Sequence, residues 1–378
     1  MDLQIHKTPY YGYDMNILRQ TLAQCQDSAL KYGYHVHYAL KANFNKKILE
    51  EIHNYAIGVD CVSGGEIRLA RELNFGPDQI VFAGVGKTDL EISNALKTGI
   101  FCFNVESFPE LEVINLIAAR LGKIAPIALR INPDVDAGTH HYITTGLSEN
   151  KFGMDAGSIP QILEYAKNAD NLDLMGLHFH IGSSINDLST FKALCLKVNQ
   201  IKRNLENKGF TFKILNMGGG LGIDYQNPVD HLIPNFSEYF GIFNRFLEVL
   251  PGQKIHFELG RSLVGQCGTL FTKVLYVKKG TQTNFLIVDA GMNDLLRPSL
   301  YQAYHHIDKI SMNSTEMKEE VYDVVGPVCE SSDFFRRGIK LPTCVRGDIL
   351  AIRSVGAYGE VMSSPYNLRE KALAYYFS

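Results

Sequence analysis

No long block of like charge and no basic stripe interleaved with aromatics occurs in the 378 residues, and acids and bases nearly balance at a formal net charge of −3. No global field draws in nucleic acid or anionic lipid, so neither is expected as a partner. Eighteen consecutive apolar residues are found nowhere, so no segment reads as a membrane-spanning helix. The opening MDLQIHKTPYYGYD has neither a basic start nor an apolar stretch behind it, which speaks against a secretory leader. Seven cysteines lie scattered without a CxxC pair. That spacing argues against structural zinc or a disulfide framework and predicts reduced thiols in a cytoplasmic protein. Internal repeats and low-complexity tracts are missing as well.

What is present is a chain long enough for two domains. Between Lys31 and Arg261, short runs rich in Val, Ile, Leu and Phe alternate with amphipathic stretches. The runs are HVHYAL, GVDCVS, IVFAG, FCFNV, PIALRIN, MGLHFHIG, ILNMGGG and KIHFELG, beginning near residues 35, 58, 80, 101, 126, 175, 214 and 254. They read as strands buried on both faces, and GGEIRLAREL, FPELEVINLIAARLG and FKALCLKVNQIKRNLENKG read as helices between them. Eight such units in this length predict an α/β fold, a (β/α)8 TIM-type barrel over 25–262, with an open doubly wound sheet as the alternative that even spacing disfavours. After Gly265 the helical stretches thin out, and TLFTKVLYVKKGTQTNFLIVDAG, EEVYDVVGPVC and GDILAIRSVGAY read as strands. A second, mainly antiparallel β-sandwich or β-barrel domain is therefore expected over 263–378, joined by residues 1–24.

Barrel enzymes act at the C-terminal ends of their strands. That rim carries Lys41, Ser63, Asn132, His180 with Ser183, Gly218 to Gly220, and Glu258 with Arg261. Lys41 reads either as a lysine reaching water from a strand end or as a desolvated amine able to form a Schiff base. The run MGGGLG is a flexible turn or, through close-set amides, a nest for a phosphate. His178 and His180, two apart, allow a metal reading, but neighbouring strand ends offer no convincing third and fourth ligand. His178 reads as a buried, hydrogen-bonded residue, and His180 as a ring able to stack on a planar cofactor. Glu258 either pairs with Arg261 or holds a proton on a pyridine nitrogen. Amine, stacking ring, phosphate nest and pyridine-facing acid together describe pyridoxal 5′-phosphate.

At these residues the chain resembles the pyridoxal-phosphate decarboxylases of alanine-racemase-like fold, and among them the diaminopimelate decarboxylases. The likeness covers YALKAN, VDCVSGGE, INPDVDAGTHHYITTG, NKFG, GLHFHIGSSI, GGGLG, DAGMNDLLRPSLY, VVGPVCESSD and GAYGEVMSSPYN. It implies that Lys41 binds the cofactor covalently, that His180 stacks on its ring and that Glu258 faces its pyridine nitrogen. It further implies that Ser183, Gly219, Gly220, Gly260 and Arg261, helped by Tyr358, hold the phosphate. Arg261, Arg297 and Tyr301 would bind the far carboxylate of an amino-acid substrate, with Tyr358 beside them, and Glu330 would read the distal ammonium. Cys329 would return a proton to the carbanion, entering with Glu330 from the second subunit of a homodimer. Taken alone, a cysteine is more often simply buried; its setting in VCES carries this role. The reaction implied is loss of CO2 from meso-2,6-diaminopimelate to give L-lysine, the last step of lysine biosynthesis. The alternative is a same-fold decarboxylase of D-lysine, D-ornithine or another basic amino acid. One departure is visible: the family usually reads EPGR where this chain has ELGR, with Leu259 in the proline position. Leucine can adopt the same backbone, so slightly looser geometry is expected there.

Overall fold

The computed structural model describes residues 6–135, 151–310 and 318–378. Most of INPDVDAGTHHYITTG and the first residue of NKFG lie outside the described residues. The chain divides into two compact units, one of Leu22–Gly222 with Asn235–Gly260, the other of Met1–Thr21, Ile223–Pro234 and Arg261–Ser378. Residues 223–234 fall between two barrel strands in sequence yet group with the second unit.

The first unit is the expected TIM-type barrel. Its strands are His35–Ala39, Gly58–Cys61, Ile80–Phe82, Cys102–Val105, Ala125–Asn132, Leu172–His178, Ile214–Asn216 and Lys254–Leu259. Each pairs in parallel with the next, and the last closes on the first, with Phe257 opposite Val36 and Leu259 opposite Tyr38. The sixth strand starts at Leu172, three residues before the expected Met175. Leu172, Asp173 and Leu174 pair with Ala125–Ile127 ahead of a register shift, so their partly exposed, mixed pattern hid them from an apolar-run reading.

Local chemistry starts and stops the barrel helices. Ser63, Thr88 and Ser107 accept the third-residue amide of their helices, and Glu91 reaches back to the Thr88 amide at 3.0 Å to complete a capping box. Gly99 and Gly122 end two helices in the left-handed conformation, at φ +74° and +60°. Helix Phe236–Phe246 sets Phe240 and Phe243 edge-on to Phe257 of the last strand, with centroids 5.0 and 4.8 Å apart. Each such ring pair adds about 0.5–1.5 kcal/mol beyond the area it buries.

The second unit is a single eight-stranded sheet, mixed and mainly antiparallel, that nearly closes as a barrel. Among the described pairings two are parallel, Tyr10–Asp14 beside Leu373–Phe377 and Asn284–Val288 beside Glu319–Val325. Strand Tyr10–Asp14 also pairs antiparallel with the long strand Gly268–Lys279, and Tyr10 stacks on Phe271 at 4.8 Å. Among the described residues no helix is long and apolar enough to cross a membrane.

Candidate active site

The first barrel strand ends at Ala39, and one 3-10 turn, Leu40–Ala42, follows it. Leu40 and Ala42 are buried, and the Tyr38 hydroxyl donates to the Asn43 carbonyl at 2.8 Å, so the turn is pinned. Lys41 projects from it with its side chain 42% exposed and Nζ 4.0 Å from Oδ2 of Asp60. Asp60, on the second strand, is wholly buried, and neither carboxylate oxygen has a hydrogen-bond partner among the described residues. Burial first, then the charge of Glu258, pushes its pKa well above the usual carboxylate range, against the pull of Lys41.

Glu258, buried on the eighth strand, is gripped from three sides. Oε1 accepts from the side-chain amides of Asn104 and Asn216, both at 2.7 Å, and Oε2 accepts from Nε2 of His178 at 3.0 Å. Burial alone would raise its pKa, but the bonded His178, with the charge of Lys41 behind it, outweighs that and holds the carboxyl below its ordinary range. His178 is therefore a direct partner of the acid, a role the sequence pattern did not reveal. The buried Nδ1 of His178 has no partner among the described residues. Asn104, Asn216 and Asp60 went unrecognised too. Their one signal was a polar residue at an inward position of an apolar strand.

The glycine run faces this acid. A Cβ on Gly219 would run into the Glu258 carbonyl, and Gly220, at φ +112°, would set one 2.6 Å from the Gly182 carbonyl. The Gly219 amide donates to Nδ1 of His180 at 3.2 Å, which leaves the ring hydrogen on Nε2. Burial, then Arg130 and Lys41, depresses the His180 pKa well below its normal value, so the ring is neutral. Ser183 is partly exposed in the loop after His180. Gly260 packs close to Ala39 and Ala42. Leu259, in the place of the family's proline, is fully buried and held by its ladder pairing with Tyr38. Ser63 caps a helix, and the Asn132 side chain accepts from the Asp134 amide at 3.2 Å, so both have local structural tasks.

In the second unit, buried Arg261 and Arg297 converge on one phenol, that of Tyr225, at 2.6 and 3.0 Å. Arg261 also lies 4.9 Å over the ring of Tyr358, which adopts φ +57°, a conformation uncommon for a bulky residue and frequent at functional sites. Tyr301 ends the short helix that Arg297 begins. Cys329 is exposed, whereas the other six cysteines are buried, and all seven are free thiols. Glu330 accepts from the Tyr366 hydroxyl at 2.5 Å. Among the described residues no three His, Cys, Asp or Glu side chains are grouped to hold a metal ion.

A buried carboxylate kept ionised by three donors is poorly suited to trading protons at neutral pH and well suited to being the counter-charge of a protonated ring nitrogen. The fold and this acid define a barrel enzyme that works through a bound ring cofactor. Comparison with known proteins gives the family: a model of the pyridoxal-binding domain of pyridoxal-dependent decarboxylases matches residues 18–265, and the chain belongs to that family, whose cofactor is pyridoxal phosphate. The chain is 53% identical to the diaminopimelate decarboxylase of Bacteroides thetaiotaomicron, over 98% of its own length and 95% of the relative's. With that of Aquifex aeolicus the identity is 44%, covering 98% and 86%. The crystal structure of diaminopimelate decarboxylase from Helicobacter pylori in complex with L-lysine superposes with a TM-score of 0.93 at 43% identity, covering 99% of this chain and 93% of that one.

Proposed function

We propose that the protein decarboxylates meso-2,6-diaminopimelate at its D-centre, releasing CO2 and L-lysine, as an enzyme of lysine biosynthesis in the cytoplasm. The observation that carries this reading is the Asn104–Asn216–His178 clamp on Glu258. Both in-plane positions of Oε1 are filled, while Oε2 accepts only one hydrogen bond among the described residues and can take another donor. The residues fit pyridoxal phosphate on that ground: the open position on Oε2 suits a protonated ring nitrogen.

Lys41 would hold the cofactor covalently, neutral His180 would lie on its ring face, and Glu258 Oε2 would meet its ring nitrogen. Ser183, Gly219, Gly220, Gly260 and Arg261, with Tyr358, would hold its phosphate. When bound, the cofactor supplies an electron sink for the pair left on Cα as the carboxylate departs. Arg261, Arg297, Tyr301 and Tyr358 would fix the substrate's second carboxylate, so that distal binding orients the scissile bond. The buried arginines favour diaminopimelate over D-lysine or D-ornithine, which have no second carboxylate.

The protein would work as a homodimer, with Cys329 and Glu330 serving the site of the partner subunit. The exposure of Cys329 supports this, as does that of the segment whose Asn367 side chain accepts from the Cys329 amide: Leu368 is 96% exposed, and Tyr366, bonded to Glu330, is exposed too. There Glu330 would receive the distal ammonium, and the Cys329 thiol would hand its proton to Cα.

The test is CO2 release from meso-diaminopimelate beside D-lysine and D-ornithine, read with the absorbance of the bound cofactor. Release from diaminopimelate should exceed the others, and Lys41→Ala should lose both turnover and the covalent absorbance band. Full activity in Lys41→Ala, or equal release from D-lysine, would overturn the reading.

A further inference from the structure

We propose that Tyr225 sets the selectivity for a ligand bearing a second carboxylate, by holding Arg261 and Arg297 together and offering its own hydroxyl hydrogen to that carboxylate. The inference deepens the functional reading above and rests on it.

Tyr225 sits in the 223–234 segment that leaves the barrel sequence and groups with the second unit. Its turn is tightly built. Asp224 Oδ1 accepts from the amides of Gln226 and Asn227 at 2.7 and 2.9 Å, and Oδ2 lies 2.7 Å from Nδ1 of His231. Gln266 donates to the carbonyls of Asp224 and His231. The phenol is thus delivered to a set position, where its oxygen accepts from Nη1 of both arginines.

A phenol oxygen has two lone pairs and one hydrogen. Both lone pairs are taken by cations, so the hydrogen points to a further acceptor, and none is present among the described residues. Arg297 Nη1 also donates to Nε2 of His305 at 2.8 Å, and the guanidinium meets no carboxylate among the described residues. His305 is neutral, its pKa pushed down to about 3 by burial and then by Arg297, and its Nδ1 lies 2.9 Å from the Arg353 carbonyl. A buried cation without a counter-charge favours an anion. The arrangement therefore presents two guanidiniums and one hydroxyl donor to a carboxylate.

The groups facing the phenol are Arg261, Arg297 and His305, whose ring stands edge-on at 5.2 Å, with Tyr358 and Tyr301 acting on Arg261. Burial raises the phenol's pKa, but the two arginines outweigh burial and bring it below the ordinary tyrosine value. Ionisation at alkaline pH would cancel one positive charge and remove the donated hydrogen. Carboxylate selectivity should then fall as pH rises.

The experiment measures inhibition constants of L-lysine and 1,5-diaminopentane, which differ by one carboxylate, on the holoenzyme and on Tyr225→Phe. L-Lysine should weaken about tenfold in the variant, the order of one charge-assisted hydrogen bond, while the diamine stays within about twofold. Equal weakening of both ligands, or an unchanged L-lysine constant, overturns the proposal. A second measurement needs no variant: corrected for ligand ionisation, the wild-type preference for L-lysine over the diamine should shrink as pH rises towards the ordinary tyrosine range, and a constant preference also overturns it. Wild-type protein that releases no CO2 from diaminopimelate refutes the functional reading separately, leaving the binding constants to judge Tyr225.

Discussion

At the scale of single residues, the barrel interior is decided by which polar groups are kept charged and which neutral. Below the Glu258 clamp, His37 Nε2 and His256 Nδ1 lie 2.9 Å apart, and His256 stacks on His35 at 4.8 Å and on Phe101 at 5.2 Å. Burial depresses the pKa of His37 to about 4 and, with His37 adding to it, that of His256 to about 2. Unfolded, both titrate near 6.5, so below that pH the unfolded chain binds more protons than the folded one. Stability is full above about pH 6.5 and falls by about 1.4 kcal/mol per pH unit per histidine towards pH 4. Denaturant unfolding at pH 7.5, 6 and 5 should show this loss, and His256→Asn should flatten it by close to one proton; an unaltered slope would refute the assignment. Lys41, His180 and Glu258 were legible because each stands at a strand end with a distinctive neighbour motif. Asp60, Asn104, Asn216 and Tyr225 were not, because one polar residue in an apolar run looks the same whether it faces a helix or the barrel axis.

At the scale of elements, strand spacing carried most of the barrel, since parallel strands covered on both faces must be apolar throughout. The sixth strand's start was hidden by a register shift. The segment 223–234 escaped as well, because nothing in its composition says that it leaves the barrel. The glycine run shows how elements constrain each other: Gly219 lies against the carbonyl of Glu258, the residue that the neighbouring strand must present. Gly219→Ala should cost about 2 kcal/mol or more in stability through backbone displacement. It should also loosen cofactor binding, as measured by thermal melting and cofactor titration. Wild-type values in both would show that the strands yield freely here.

At the scale of the whole molecule, the homodimer proposal has a direct test. Lys41→Ala and Cys329→Ala should each be strongly impaired alone. Mixed after dissociation and reassembly, they should regain about a quarter of wild-type activity, because about half the dimers then carry one site with both residues intact. No recovery would place Cys329 in the site of its own chain. By itself the sequence determined the barrel, the β domain and the cofactor family, because hydrophobic periodicity and long ordered motifs are local properties of the chain. Only the tertiary structure decided that His178 belongs to Glu258 and that Tyr225 joins Arg261 to Arg297. Those bonds link residues 80, 36 and 72 positions apart, and their 2.6–3.0 Å geometry exists only once the strands have closed and the loops have folded.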